Sequence, residues 1–221
     1  MQTPAAAASW DSIDTLLVDM DGTLLDLAFD NFFWHELVPT HFGERHGLPA
    51  AEARRVVSAR FEAAQGTLAW YCIDHWTREL SLDLKGLKYG HRHLIRFLPG
   101  AERFLAAARA GGKDVAIVTN AHRETLAVKI EQTGIDRLVD SVITAHDFAT
   151  PKETAAFWPA LQRRYPFDPE RTLLIEDNVA VLAAARDYGL ERTIAIRRPD
   201  STQPARPIDD FAAVDGVADL L

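Results

Sequence analysis

Short apolar runs rich in β-branched residues, separated by helical patterns, constrain this chain more than any other feature. Four runs stand out, at Thr15–Asp19, Asp114–Val118, Leu173–Ile175 and Thr193–Ile196, with a weaker one at Ser141–Thr144. Their length and composition suit strands covered on both faces. Helical periodicity fills Ala101–Ala110, Glu124–Gln132, Glu153–Tyr165 and Val179–Tyr188, and Gly111-Gly112, Gly134 and Gly189 act as stop signals. This alternation predicts an α/β fold, a parallel sheet with helices on both faces.

One segment breaks the rhythm. From Leu27 to about Leu98 no strand pattern is found, and amphipathic stretches at Phe29–Phe42, Ala50–Gln65 and Leu68–Leu82 predict an all-helical insertion after the first strand. The Pro-rich tail Asp200–Pro207 reads as a surface loop before a short last helix. The chain has 221 residues, enough to bury a core without staples. Its single cysteine, Cys72, excludes an intramolecular disulfide and fits a reducing cytoplasm. A net charge of −8 opposes binding to nucleic acid. The alanine-rich start, Met1 to Trp10, has no basic n-region, and no run reaches the roughly 18 apolar residues of a membrane span. A cytoplasmic protein with neither nucleic acid nor membrane as partner is expected; the sequence assigns no oligomeric state.

The strand ends carry the chemistry. In an open parallel sheet, ligands bind outside the carboxyl ends of the strands. The first run ends in Asp19-Met20-Asp21-Gly22-Thr23, the second in Thr119-Asn120, and the fourth in Glu176-Asp177-Asn178; Lys152 follows Pro151 at the start of the helix expected after the weaker run. Taken singly, each has an ordinary reading as a turn, a helix cap or a solvated lysine. Taken together, they bring paired carboxylates, a hydroxyl, an amide and a cation to one edge. Asp19 and Asp177 are hard oxygen ligands of the kind Mg²⁺ takes, and Lys152 with the Thr119 hydroxyl suits phosphoryl oxygens.

This ordered set resembles the four motifs of the haloacid dehalogenase-like hydrolases. The resemblance covers nearly the whole chain. It implies a Rossmann-like core at residues 1–26 and 99–221 and a helical cap at 27–98. It also implies a phosphoaspartyl intermediate on Asp19, with Asp21 as general acid and base. Mg²⁺ would be held by Asp19, Asp177 and the Asp21 backbone carbonyl, and the phosphate by Thr119, Asn120 and Lys152. Glu176 stands where related phosphatases have Asp or Gly, as a second-shell or metal residue. Having Asp21 points to phosphate esters rather than halides.

Stretches of both core and cap resemble the bacterial nucleotidases acting on GMP and IMP: Val18–Trp34, Leu68–Trp76, Thr119–His122, Leu126–Ile135 and Pro151–Glu153. That likeness implies a purine nucleoside monophosphate as the small-molecule partner. Asn31, Trp70 and Asp74 are candidate cap contacts to it, among Phe29, Phe33, Tyr71 and Trp76. The basic run Lys85, Lys88, His91, Arg92, His93, Arg96 reads as a solvated face, and His122 as a cap or a neighbour of the phosphate. Two other readings remain: a sugar-phosphate phosphatase or phosphomutase with the same core, and a non-catalytic binding protein on this fold.

Overall fold

A computed structural model describes residues 10–221. The alanine-rich start, expected not to be a leader, lies outside the described residues up to residue 9. Six strands, β1 (Thr15–Val18), β2 (Asp114–Thr119), β3 (Ser141–Thr144), β4 (Thr172–Glu176), β5 (Thr193–Ile196) and β6 (Ala213–Val214), form one sheet. Their order is β3-β2-β1-β4-β5-β6, and every pairing is parallel.

Period-2 alternation divides the sheet between two cores. Leu16 of β1 is in register with Val115 and Leu173, and all three face one side. Leu17 pairs with Ala116 and Leu174, and these face the other. Nine α-helices are found among the described residues: α1 (Ala28–Phe32), α2 (Val38–His46), α3 (Ala50–Ala64), α4 (Ile73–Leu80), α5 (Leu84–Gly90), α6 (Ala101–Ala110), α7 (Arg123–Thr133), α8 (Phe157–Arg164) and α9 (Val179–Tyr188). Phe104 and Leu105 of α6 cover the first face, while Trp158 of α8 and Leu182 of α9 cover the second. The first core continues into the helical insertion through Phe29, Phe33, Phe61 and Trp76.

Several element bounds differ from expectation. The first inserted helix runs on from α1 through a π-helical segment, Phe33–Leu37, into α2, and ends where Gly47 turns left-handed at φ 65°. Leu68–Leu82 splits into a 3-10 turn, Leu68–Tyr71, and α4, because Cys72 is extended and its sulfur accepts the His75 N–H as an N-cap. Helix α5 was hidden within the basic run; Asp83 caps it through the Gly86 N–H at 2.9 Å. Lys152 is not in a helix: α8 starts only at Phe157, since the Lys152 N–H is drawn to Asn120 and Thr154 folds back on the Pro151 carbonyl. The last segment holds β6 and a 3-10 turn, Val217–Leu220, rather than an α-helix; a two-residue strand is too short to show a period in sequence.

Candidate active site

Strand order reverses at β1, and such a switch point opens a crevice at the carboxyl edge of a parallel sheet. Asp19 leaves β1 there, beside Glu176 and Asp177 at the end of β4. Gly22 is required at the turn between them. Its φ is 84°, and a Cβ would meet Pro199 Cβ at 2.8 Å and Asp177 Cγ at 2.9 Å.

Lys152 is the hub of this edge. Its Nζ donates to Asp19 Oδ1 at 2.5 Å, Glu176 Oε2 at 2.7 Å and the Val118 carbonyl at 2.8 Å. Its backbone N–H donates to Asn120 Oδ1, and Asn120 Nδ2 donates to Glu153 Oε2, each at 2.9 Å. Burial disfavours the ammonium, but Asp19 and Glu176 outweigh it and hold its pKa above the usual range. Glu176 has both oxygens engaged: Oε1 accepts the backbone N–H groups of Asp177 and Asn178 at 3.1 and 3.0 Å. Thr119 is buried at the end of β2, and its hydroxyl accepts the Ala121 N–H at 3.0 Å.

The carboxylates are crowded. Ligand atoms of Asp19, Glu176 and Asp177 lie within 4.8 Å of one another. Burial, then the charge of Glu176, pushes Asp19 up to about 8, against the pull of Lys152. Glu176 is raised to about 7 by burial, with Asp177 adding to it and Lys152 opposing. Asp177 reaches about 7 through burial and the charge of Asp19, opposed by Arg206. The cavity above them is lined by five carboxylates (Asp19, Asp21, Asp30, Glu176, Asp177) against four cations, Lys88, Lys129, Lys152 and Arg206. Crowding and burial favour the protonated forms of Asp19, Glu176 and Asp177 unless a cation sits among them. This oxygen-only donor set fits a hard divalent cation such as Mg²⁺.

A second charged network was not legible in the sequence. Lys129 of α7 and Lys88 of α5 are both almost fully buried. Lys129 Nζ donates to Asp21 Oδ1 at 2.5 Å and to Asp30 Oδ2 at 2.6 Å, and Lys88 Nζ donates to Asp30 Oδ1 at 2.7 Å. Burial would raise Asp30, yet the two lysines outweigh it and hold its pKa far below the carboxylate range. Asp21 is raised by burial, with Lys129 opposing.

The remaining wall is aromatic. The cavity holds about 580 Å³ and is bounded by Trp34, Phe61, Trp70, Tyr71 and Trp76. Phe61 packs edge-on against Trp34, Trp70 and Trp76, with ring centroids 5.5, 6.0 and 4.7 Å away. The Tyr71 hydroxyl donates to Glu153 Oε1 at 3.0 Å, joining the insertion to the Asn120 network. Of the candidate cap contacts, Asn31 and Trp70 line this cavity, and Asn31 Nδ2 donates to Asp200 Oδ2 at 2.7 Å. Asp74 does not line it. It faces Lys85 at 3.2 Å and His122 at 3.7 Å instead. Phe29 and Phe33 belong to the core beneath.

No helix among the described residues is long and apolar enough to cross a membrane. Residues 13–189 match the haloacid dehalogenase-like hydrolase family. The chain is 41% identical over 195 residues to the GMP/IMP nucleotidase YrfG of Escherichia coli K12, covering 87% of each, and the Shigella flexneri protein of that name matches equally. Among solved structures, a HAD phosphatase from Thermococcus onnurineus aligns with a TM-score of 0.78 at 20% identity, covering 94% of this chain and 96% of that one. An L-2-haloacid dehalogenase from Xanthobacter autotrophicus aligns with a TM-score of 0.60 at 15% identity, covering 94% and 96%. These structural likenesses fix the architecture and leave the reaction to the site. The chain belongs to the haloacid dehalogenase-like hydrolase family, as one of its phosphatases.

Proposed function

We propose that this enzyme is a Mg²⁺-dependent 5′-nucleotidase that hydrolyses purine monophosphates such as GMP and IMP through an aspartyl-phosphate at Asp19. The observation that carries the reading is the joining of Asp19, Lys152 and Asp177 at one edge to an aromatic cavity of about 580 Å³, a size that holds a small-molecule ligand. The 41% identical relative named as a GMP/IMP nucleotidase supports the same substrate class. In this reading residues 1–26 and 99–221 form the catalytic core and 27–98 the cap.

Asp19 is the nucleophile. Lys152 occupies Oδ1, so the attack on phosphorus falls to Oδ2. As the ester P–O bond breaks, Asp21 gives its proton to the departing 5′-oxygen; burial raises its pKa in the direction an acid requires. Asp21, now a carboxylate, takes a proton from water. The hydroxide attacks phosphorus, the Asp19–phosphorus bond breaks, and phosphate leaves with Asp19 restored. The Thr119 hydroxyl and the Asn120 amide bind and orient the phosphoryl oxygens, and Lys152, whose three protons are engaged by Asp19, Glu176 and Val118, adds its positive charge beside them. Glu176 is a positioning residue that holds the Lys152 ammonium. Bound Mg²⁺, held by Asp19, Asp177 and the Asp21 carbonyl, would offset the repulsion between anionic nucleophile and anionic ester.

Phosphate release measured across nucleoside monophosphates and sugar phosphates, with Mg²⁺ and with EDTA, tests this. Preference for GMP and IMP, lost with EDTA and in Asp19→Asn, is expected. Preference for a sugar phosphate would overturn the substrate and keep the chemistry; no Mg²⁺-dependent release from any ester would overturn both.

A further inference from the structure

Where the cap meets the core, outside the carboxylate crevice, three softer ligands converge. Cys72 at the N-cap of α4, His122 at the N-cap of α7 and His146 in the turn after β3 offer ligand atoms within 4.8 Å of one another. They come from three elements far apart in sequence, so no local capping pattern explains their meeting.

A second observation singles out His146. Its Nε2 is buried and has no hydrogen-bond partner, a state that is unfavourable when nothing binds it. Its ring stands edge-on to His122, with centroids 4.7 Å apart and planes at 87°. Two imidazolium ions do not tolerate that proximity. Burial first, then the charge of His122, pushes His146 down to about 4, and burial lowers His122 as well. Neutral imidazole is the metal-binding form. Asp74, displaced from the purine cavity, puts Oδ2 at 3.7 Å from His122 Nε2, beside the cluster.

We propose that Cys72, His122 and His146 form a second metal site, for a borderline-soft divalent ion such as Zn²⁺, which ties the cap to the core. The donor set decides the ion. Thiolate and imidazole favour Zn²⁺ and its neighbours, whereas Mg²⁺ keeps to oxygen. A tetrahedral zinc with these ligands needs them about 3.4–3.6 Å apart, so small side-chain rotations close the site. Binding forms one Zn–S and two Zn–N bonds, and the thiol proton leaves to water. Cys72 follows the cavity-lining Trp70 and Tyr71, and His122 follows the cavity-lining Ala121. The tie therefore holds the cap down over the cavity and slows exchange of substrate and product.

Cobalt is the probe, because Cys72 is the only thiol in the chain and a cobalt–thiolate charge-transfer band reports it alone. Titrating Co²⁺ into the full chain at saturating Mg²⁺ is expected to give that band at one equivalent, in the wild type and equally in Asp19→Asn. Cys72→Ser, which keeps an N-cap side chain, is expected to lose the band, and His146→Gln to weaken binding roughly 10–100-fold. No band at one equivalent, or unchanged affinity in His146→Gln, would overturn the site. With phosphate release as readout, Zn²⁺ is expected to inhibit the wild type at least about tenfold more strongly than Cys72→Ser, whose activity without zinc is unchanged. Zinc that binds without inhibiting would overturn the tie.

Discussion

The two sides of the cavity are built in opposite ways. On the core side, Asp19, Thr119, Glu176 and Asp177 sit at or directly after the ends of buried strands, and Lys152, further along the chain, is fixed there by Asp19, Glu176 and Val118. On the cap side, the lining comes from helix faces and is set by edge-to-face ring packing around Phe61. Placement at strand ends gives the fixed geometry that phosphoryl transfer needs. Placement on helix faces gives a surface that can change without disturbing that geometry. In the proposed reading, chemistry and substrate choice have separate scaffolds, joined by the Lys129 bridge between Asp21 and Asp30 and by the Tyr71–Glu153 bond.

The largest expected effect breaks the core side alone. Asp19→Asn should lower phosphate release by roughly 10⁴-fold or more for every ester alike, measured in steady state; selective loss for one ester would contradict the division. Cutting the bridge comes next. Lys129→Met leaves Asp21 and Asp30 buried without their shared cation, and unfolding by urea should show a loss of about 3–5 kcal/mol. Removing the hold on Lys152 by Glu176→Gln should lower kcat roughly 10–100-fold with KM little changed; a rise in KM alone would make Glu176 a substrate contact.

The smallest effect concerns the junction. Asp26 accepts from the Ala28 and Ser201 N–H groups, the Ser201 hydroxyl and Arg96. Burial would raise its pKa, yet these bonds from Ser201, Ala28 and Arg96 hold it below the usual value. A depressed folded pKa means stability present above the unfolded value of about 3.9 and lost as pH falls through the folded one. Asp26→Asn should therefore cost about 1–2 kcal/mol near neutrality and show a shallower loss of stability below about pH 4, read from urea midpoints against pH.

The unequal legibility of the two sides has the same origin. Asp19, Asp21, Thr119, Asn120, Glu176 and Asp177 could be read because each directly follows an apolar run, and a parallel sheet places all such ends at one edge. Lys152 was found without its setting, since the side-chain bond from its N–H to Asn120 that keeps it out of a helix spans 32 positions. The cap lining depends on which way a helix is turned. The π segment at Phe33–Leu37 alters that rotation locally, and Trp34 lines the cavity while Phe33 is core. Lys88 stands in a basic run that reads as a solvated face, and Lys129 stands unmarked within the helical pattern Glu124–Gln132. Their partner Asp30 lies 58 and 99 positions away, a pairing with no local pattern. Arg206, in a tail read as surface loop, donates to the Asp177 carbonyl at 2.7 Å. Asp74 was expected to face substrate because aromatic residues flank it, whereas the rotation of α4 turns it to Lys85.

The most direct measurement is kcat/KM of Trp70→Ala for IMP and for a small aryl phosphate, beside the wild type. Loss of a stacking surface worth about 1–3 kcal/mol per base should lower the IMP value roughly 5–150-fold and leave the aryl phosphate value unchanged. An equal fall for both esters, or no fall for IMP, would contradict the assignment of purine choice to the cap and of chemistry to the core.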